Sequence, residues 1–181
     1  MKQLFLSIWE VLEVALIALV TVFLIRTFLV QPFLVSGASM EPSFSDGNYL
    51  LVDELTYRFR EPGRGEVIVF RAPTGDSYFI KRIIALPGEE VRVQRGVVTV
   101  ITNDNKTITL KETYLVPGTK TAGDIEVVLK EEQYFVLGDN RGYSFDSRSW
   151  GFLEAEKIIG LVRVRLWPIN KVMAFETPVY Y

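Results

Sequence analysis

Residues able to do hydrolytic chemistry fall into three islands. The first is Ser36-Gly37-Ala38-Ser39-Met40-Glu41-Pro42-Ser43. Small neighbours let a backbone turn sharply and let a substrate approach the Ser39 hydroxyl; by itself, such a stretch is more often an ordinary turn. The second is Tyr78-Phe79-Ile80-Lys81-Arg82-Ile83-Ile84-Ala85-Leu86-Pro87-Gly88. On a wet strand face Lys81 would snorkel to water. Pointing inward, it would lose affinity for its proton, because burial disfavours the charged form, and it could then act as a base. The third is Gly138-Asp139-Asn140-Arg141-Gly142-Tyr143-Ser144-Phe145-Asp146-Ser147-Arg148. Such a composition usually belongs to a solvated loop, but its density of carboxylates and fork-shaped donors also suits interlocked ion pairs at a strand end.

Two absences narrow the chemistry. The chain has no His and no Cys. Imidazole-assisted triads, thiol nucleophiles, disulfides and Cys- or His-based metal sites are therefore excluded. The base of a hydrolase must be Lys, Asp, Glu or a terminal amine. The third island also lacks the full calcium-loop pattern and its terminal Glu.

The elements that must position these islands follow from the hydrophobic pattern. Residues 14–25 carry no charge, and 4–30 contain only Glu10, Glu13 and Arg26. A helix over 8–30 is long enough for a hydrocarbon core of ~30 Å, with Trp9 at an interface and Pro32 ending it. Lys2 on the near side, and no Lys or Arg over 31–51, place the N-terminus inside and the bulk outside. A cleaved signal peptide fits less well, since the small residues at 36–38 lie far beyond the apolar run, with Arg26 between. An interfacial helix fits less well because no broad polar face exists.

From residue 35 onward the pattern becomes short β-branched and aromatic runs between turn residues. Strands are expected over 49–52, 66–70, 78–80, 90–94, 97–102, 107–110, 126–129, 134–137 and 161–166. Short helical pieces are expected over 54–59 and 154–158. The Thr-, Lys- and Glu-rich stretch 89–132 reads as an insertion into the main sheet. The expected fold is mainly β: an N-terminal transmembrane helix, then an all-β catalytic domain with a small β insertion. With 181 residues, 49% of them hydrophobic, the chain can bury a real core. Its net charge of −2 argues against a nucleic-acid binder that works by neutralising phosphates.

Together and in order, these features resemble the type I (leader) signal peptidases, a bacterial Ser-Lys dyad family. The resemblance runs from Phe-Leu-Val-Gln-Pro-Phe at the helix end, through Ser-Met-Glu-Pro-Ser and Ile-Lys-Arg-Ile-Ile-Ala-Leu-Pro-Gly, to Gly-Asp-Asn-Arg-x-x-Ser-x-Asp-Ser-Arg, and continues in Trp150-Gly151-Phe152 and Ile159-Gly160. It covers nearly the whole chain. It implies a membrane-bound serine endopeptidase that removes signal peptides from secreted precursors. Ser39 is then the nucleophile, Lys81 the general base, and Ser144 the residue that hydrogen-bonds and orients Lys81. Asp139, Asp146 and Arg148 correspond to structural ion pairs, and Met40 to the lining of a small pocket, with Phe44, Phe79 and Ile80 as further candidate walls. Where well-known members carry a Ser as an extra oxyanion donor, this chain has Gly37, so backbone N–H groups must serve. Ser43 replaces a common Thr.

The implied organisation is a cytoplasmic tail over 1–7, a membrane helix over 8–30, a catalytic β domain over 31–88 and 133–181, and an accessory β insertion over 89–132. The implied location is the cell membrane, single-pass, with the catalytic domain extracytoplasmic. Partners would be precursors with small residues at −1 and −3, membrane lipid and the secretion translocon; no cofactor, metal or nucleic acid is expected. Soluble self-cleaving repressors share Ser-Lys chemistry but carry a DNA-binding domain, for which this chain has no basic module. A catalytically silent membrane-anchored β domain would have no use for Ser39, Lys81 and Ser144 together.

Overall fold

The computed structural model describes residues 2–28 and 30–178, and the side chains of 8–22 and 31–178. Helix α1 covers Lys2–Phe28. Every side chain over 8–22 is exposed. The apolar residues wrap right around, so no single stripe can pack on a core. Its hydroxyl at Thr21 is satisfied internally by the Ile17 carbonyl at 2.8 Å. Among the described residues, no helix is long and apolar enough to cross a membrane. The span expected over 8–30 and the tail expected over 1–7 fall partly outside the described residues.

The helix also gives way earlier than expected. Strand β1 is Val30–Leu34 and pairs antiparallel with β2, Tyr49–Asp53, through Val30↔Asp53 to Leu34↔Tyr49. Pro32, expected just past a helix, therefore lies in a strand, opposite Leu51. β1 is at the sheet edge, where a residue without an N–H costs no ladder bond.

The remaining strands are β3 (Val67–Arg71), β4 (Tyr78–Ala85), β5 (Glu90–Gln94), β6 (Val97–Ile101), β7 (Thr107–Thr109), β8 (Ile125–Val128), β9 (Gln133–Leu137), β10 (Leu153–Glu154), β11 (Ile158–Trp167) and β12 (Met173–Ala174). The main sheet runs β1-β2-β11-β3-β4-β9-β10, with β12 beside β11. A second sheet, β7-β6-β5-β8, is built from residues 90–128. The expected helical pieces are single 3-10 turns at Thr56–Arg58 and Ala155–Lys157. A short helix, α2 (Ser147–Trp150), was not anticipated; Asp146 caps it by accepting from the Arg148 N–H.

β4 is the hub. Its alternate residues enter different clusters because successive strand side chains point to opposite faces. Ile83 packs with Ile68, Phe70, Tyr134, Val136 and Leu153. Past a register shift between Ile83 and Ala85, Ile84 and Ala85 join Val91, Val93, Phe135 and Leu137, which ties the second sheet to the first. From Lys81 to Ala85 the strand is buried throughout.

Gly160 lies at another register shift, where β11 leaves its pairing with Ile158↔Phe70 for Gly160↔Val69. A Cβ there would lie 2.5 Å from the Asp53 carbonyl oxygen. Gly160→Ala is expected to cost about 1–3 kcal/mol through overpacking against backbone. A thermal or urea melt equal to wild type would show that β2 and β11 part without cost.

Candidate active site

Ser39 lies in an irregular turn between β1 and β2, and Lys81 lies on β4. The topology brings them together: the Lys81 amine, Nζ, donates to Ser39 Oγ at 2.8 Å and to the Ile80 carbonyl at 2.9 Å. Lys81 is only 3% exposed. Burial lowers its pKa to about 8, against the opposing pull of the Asp146 and Asp139 carboxylates. The Phe79 ring lies 5.4 Å from Nζ. With Lys81 neutral, the same short contact lets Ser39 Oγ–H donate to Nζ, the geometry a general base needs.

Both side chains open on a cleft of about 220 Å³. Phe79 and Ile80 line it, together with Phe33, Val35, Val69 and Phe145. Met40 and Phe44 do not. They are 1% and 0% exposed and belong to the core under the turn. The Phe44 N–H bonds to the Met40 carbonyl at 2.9 Å, and this one-turn spacing directs both side chains inward.

Ser144 has a different environment from the one expected. Its Oγ is buried and, among the described residues, has no hydrogen-bond partner. It is near enough to Asp146 to favour that group's charged form, without hydrogen-bond geometry. The orienting contact on Lys81 comes instead from the Ile80 carbonyl. Ser144 packs on Gly138, where a Cβ would lie 2.1 Å from its Oγ and 2.4 Å from the Ser39 carbonyl oxygen. Only Gly leaves this space open.

The acidic residues of the third island are each claimed by an Arg. Asp139 forms a fork with Arg82 at 2.6 and 2.9 Å, with both side chains nearly fully buried. Asp146 receives both arms of Arg148 at 2.8 Å and the Gly138 N–H at 3.0 Å. Burial alone would raise the Asp146 pKa; Arg148 and Gly138 more than offset this, so it titrates below the usual carboxylate range. Arg148 also donates to the Arg141 carbonyl at 2.7 Å.

Several residues with a part in this geometry had no role in the sequence reading. Asn140 holds the Ser39 turn, donating from Nδ2 to the Ala38 carbonyl at 3.0 Å and from its N–H to the Ser39 carbonyl at 3.1 Å. Asp46 accepts the Gly37 N–H at 2.7 Å, with Gly37 at φ +91°. Arg141 reaches Thr121 at 2.5 Å and pairs with Glu112. Arg82, Asn140 and Arg141 stand beside recognised residues, which was a usable signal; Glu112 and Thr121 are distant and carried none. Among the described residues, no group of three or more Asp or Glu could hold a metal ion.

The family model described as "Signal peptidase, peptidase S26" matches residues 8–167. The chain is 41% identical over 145 residues to a probable signal peptidase I-2 of Synechocystis, covering 76% of this chain and 63% of that protein. It therefore spans less than two thirds of that relative's length. It is 35% identical over 155 residues to signal peptidase I of Leptolyngbya laminosa, covering 81% and 73%, and 31% identical over 169 residues to signal peptidase IB of Staphylococcus aureus, covering 86% and 87%. A crystal structure of a signal peptidase I from Enterococcus faecalis is similar with a TM-score of 0.48 and 29% identity, over 56% of this chain and 97% of that one.

The buried pairs generate a stability prediction. Arg148→Ala leaves the Asp146 carboxylate, 0% exposed, without its fork. A loss of about 3 kcal/mol is expected, since removing one partner strands a buried charge. Asp146→Ala should fall short of wild type as well. Melts of both variants matching wild type would remove the structural role assigned to the pair.

Proposed function

Because the chain belongs to the signal peptidase family, peptidase S26, we propose that it is a membrane-bound serine endopeptidase that cleaves signal peptides from secreted precursors with a Ser39–Lys81 dyad. The observation that carries this reading is the 2.8 Å contact between Ser39 Oγ and the amine of a buried Lys81.

Neutral Lys81 takes the proton as Ser39 Oγ attacks the scissile carbonyl, forming the Oγ–C bond of a tetrahedral intermediate. Backbone donors beside Ser39 stabilise the oxyanion, each typically worth about 3–4 kcal/mol. The Gly37 N–H is already given to Asp46, so the Ser39 N–H is assigned the role of first donor. Lys81 then passes the proton to the leaving amine as the C–N bond breaks. Water, deprotonated by the same Lys, hydrolyses the acyl-enzyme. Asp139, Asp146 and Arg148 hold the loop, and Ser144 serves by filling the space over Gly138.

Substrates would be precursors with small residues at −1 and −3, because the cleft is small and its walls rest on packed core. The uncovered apolar surface of α1 over 8–22 supports a membrane anchor. We assign it to the cell membrane with the N-terminus cytoplasmic and the β domain outside, beside lipid and the translocon. Tethering enzyme and precursor to one membrane raises their effective concentration.

The pH dependence tests the dyad. Lys81 is active when neutral, so kcat/KM should fall as pH drops through about 8 and Lys81 takes up its proton. Ser39→Ala should not cleave, and Lys81→Arg should be inactive at every pH, because a guanidinium does not deprotonate in a protein. An acidic limb in the carboxylate range, or an active Lys81→Arg, would make Asp or Glu the base.

Specificity is a separate check. Precursors with Ala at −1 should be cut, and those with Phe or Leu there should resist, since a large side chain must displace packed groups. Comparable turnover of the Ala and Phe substrates in a detergent assay would contradict the assignment of the cleft.

A further inference from the structure

The turn that carries Ser39 has neither helix nor strand of its own from residue 35 to 48. Without a ladder, its position depends on groups that grip its carbonyls. Its leading end is gripped by Asn140, through the Ala38 and Ser39 carbonyls. Its trailing end is gripped from the far end of the chain. Arg165, on β11, donates from one terminal nitrogen to the Ser43 carbonyl at 3.0 Å and to Asn48 Oδ1 at 3.3 Å. Asn48 Oδ1 also accepts the Ser45 N–H at 3.1 Å, and the Asn48 N–H bonds to the Ser45 carbonyl at 3.2 Å. Arg165 thus adds, to the bonds within the loop between Val35 and Asn48 and between Gly37 and Asp46, a tie from outside it.

Arg165 is itself held. Its Nε donates to the Lys171 carbonyl at 2.9 Å, and its guanidinium lies 5.4 Å from the centre of the Phe175 ring. Phe175 packs against the fully buried Phe44 at 4.4 Å between ring centres, and its N–H bonds to the Arg163 carbonyl at 2.9 Å. Residues 165–175 thus form a strap that presses on Phe44 from below and pulls on Ser43 from the side. Three residues separate Ser43 from Ser39, so a shift at one end of the turn is transmitted to the hydroxyl.

We propose that Arg165 is a positioning residue for peptide-bond cleavage: it fixes the trailing half of the nucleophile turn and so holds Ser39 Oγ against Lys81. The inference rests on Ser39 being the nucleophile. It touches neither the substrate cleft nor the proton-carrying amine, so it acts on the bond-making step and not on substrate capture.

The test uses the full chain in detergent and a precursor with Ala at −1 and −3. Arg165→Gln is expected to lower kcat by about 10- to 100-fold, because small misplacements of a reacting group cost rate of that order. KM should move by less than about 3-fold, since ground-state binding is untouched. Arg165→Lys, which keeps one donor, should lie between wild type and Arg165→Gln and replaces it if that variant does not accumulate. Free guanidinium, below concentrations that unfold the protein, should restore part of the turnover of Arg165→Ala. If Ser39→Ala is inactive while Arg165→Gln keeps wild-type kcat, the positioning role is wrong and the Ser39 reading stands. A kcat loss equal to the fraction of unfolded Arg165→Gln also overturns it. If Ser39→Ala still cleaves, the nucleophile assignment falls and this inference with it.

Discussion

A lysine serves as a base near neutral pH only if it is kept from water and from carboxylates, and this second condition shapes the site. Asp139 and Asp146 are both close enough to favour the charged form of Lys81. Left unpaired, either would attract the amine and hold its proton. Arg82 and Arg148 prevent that by occupying the carboxylates from the other side. The third island can thus bring carboxylates to the strand end for rigidity without surrendering the amine. The alternation of β4 makes this division possible, since Lys81 and Arg82 leave the strand on opposite faces.

Ser39 is organised by a different means. Lys81 is positioned by a central strand, paired on one side through Ile68↔Lys81. Ser39 is positioned in an irregular turn whose carbonyls accept from Asn140 and Arg165 and whose Gly37 N–H donates to Asp46. Gly138 must lack a side chain for β9 and the turn to approach. Lys81 rests on the ladder, and Ser39 on one side chain of its own turn and two drawn from distant parts of the chain.

Most strands were legible because their β-branched runs are bounded by turn residues, and the second sheet falls within the stretch read as an insertion. Lys81 and Ser39 stood out by chemistry, since without His or Cys few other pairs could be considered. What was not legible depended on partners. Val30 was read as the end of the helix and no strand was expected over 31–34; pairing with β2 makes Val30–Leu34 a strand. α2 is a single turn whose existence follows from the Asp146 cap. Met40 and Phe44 looked like pocket walls because they neighbour Ser39 in sequence, yet the turn directs them inward. Ser144 was assigned a hydrogen bond that the packing on Gly138 does not provide. Arg165 acts through the Ser43 carbonyl, which no residue pattern marks.

The sheet order has a consequence for the time course of synthesis. β11, the penultimate strand, lies between β2 and β3. A chain made from its N-terminus cannot close its main sheet when β2 and β3 appear, because the strand that joins them is still unmade. The turn bearing Ser39 lacks its Arg165 tie over the same interval. Until then the newborn chain is an unassembled β segment. The grip on the Ser39 turn is complete only when residue 165 arrives, a delay built into connectivity.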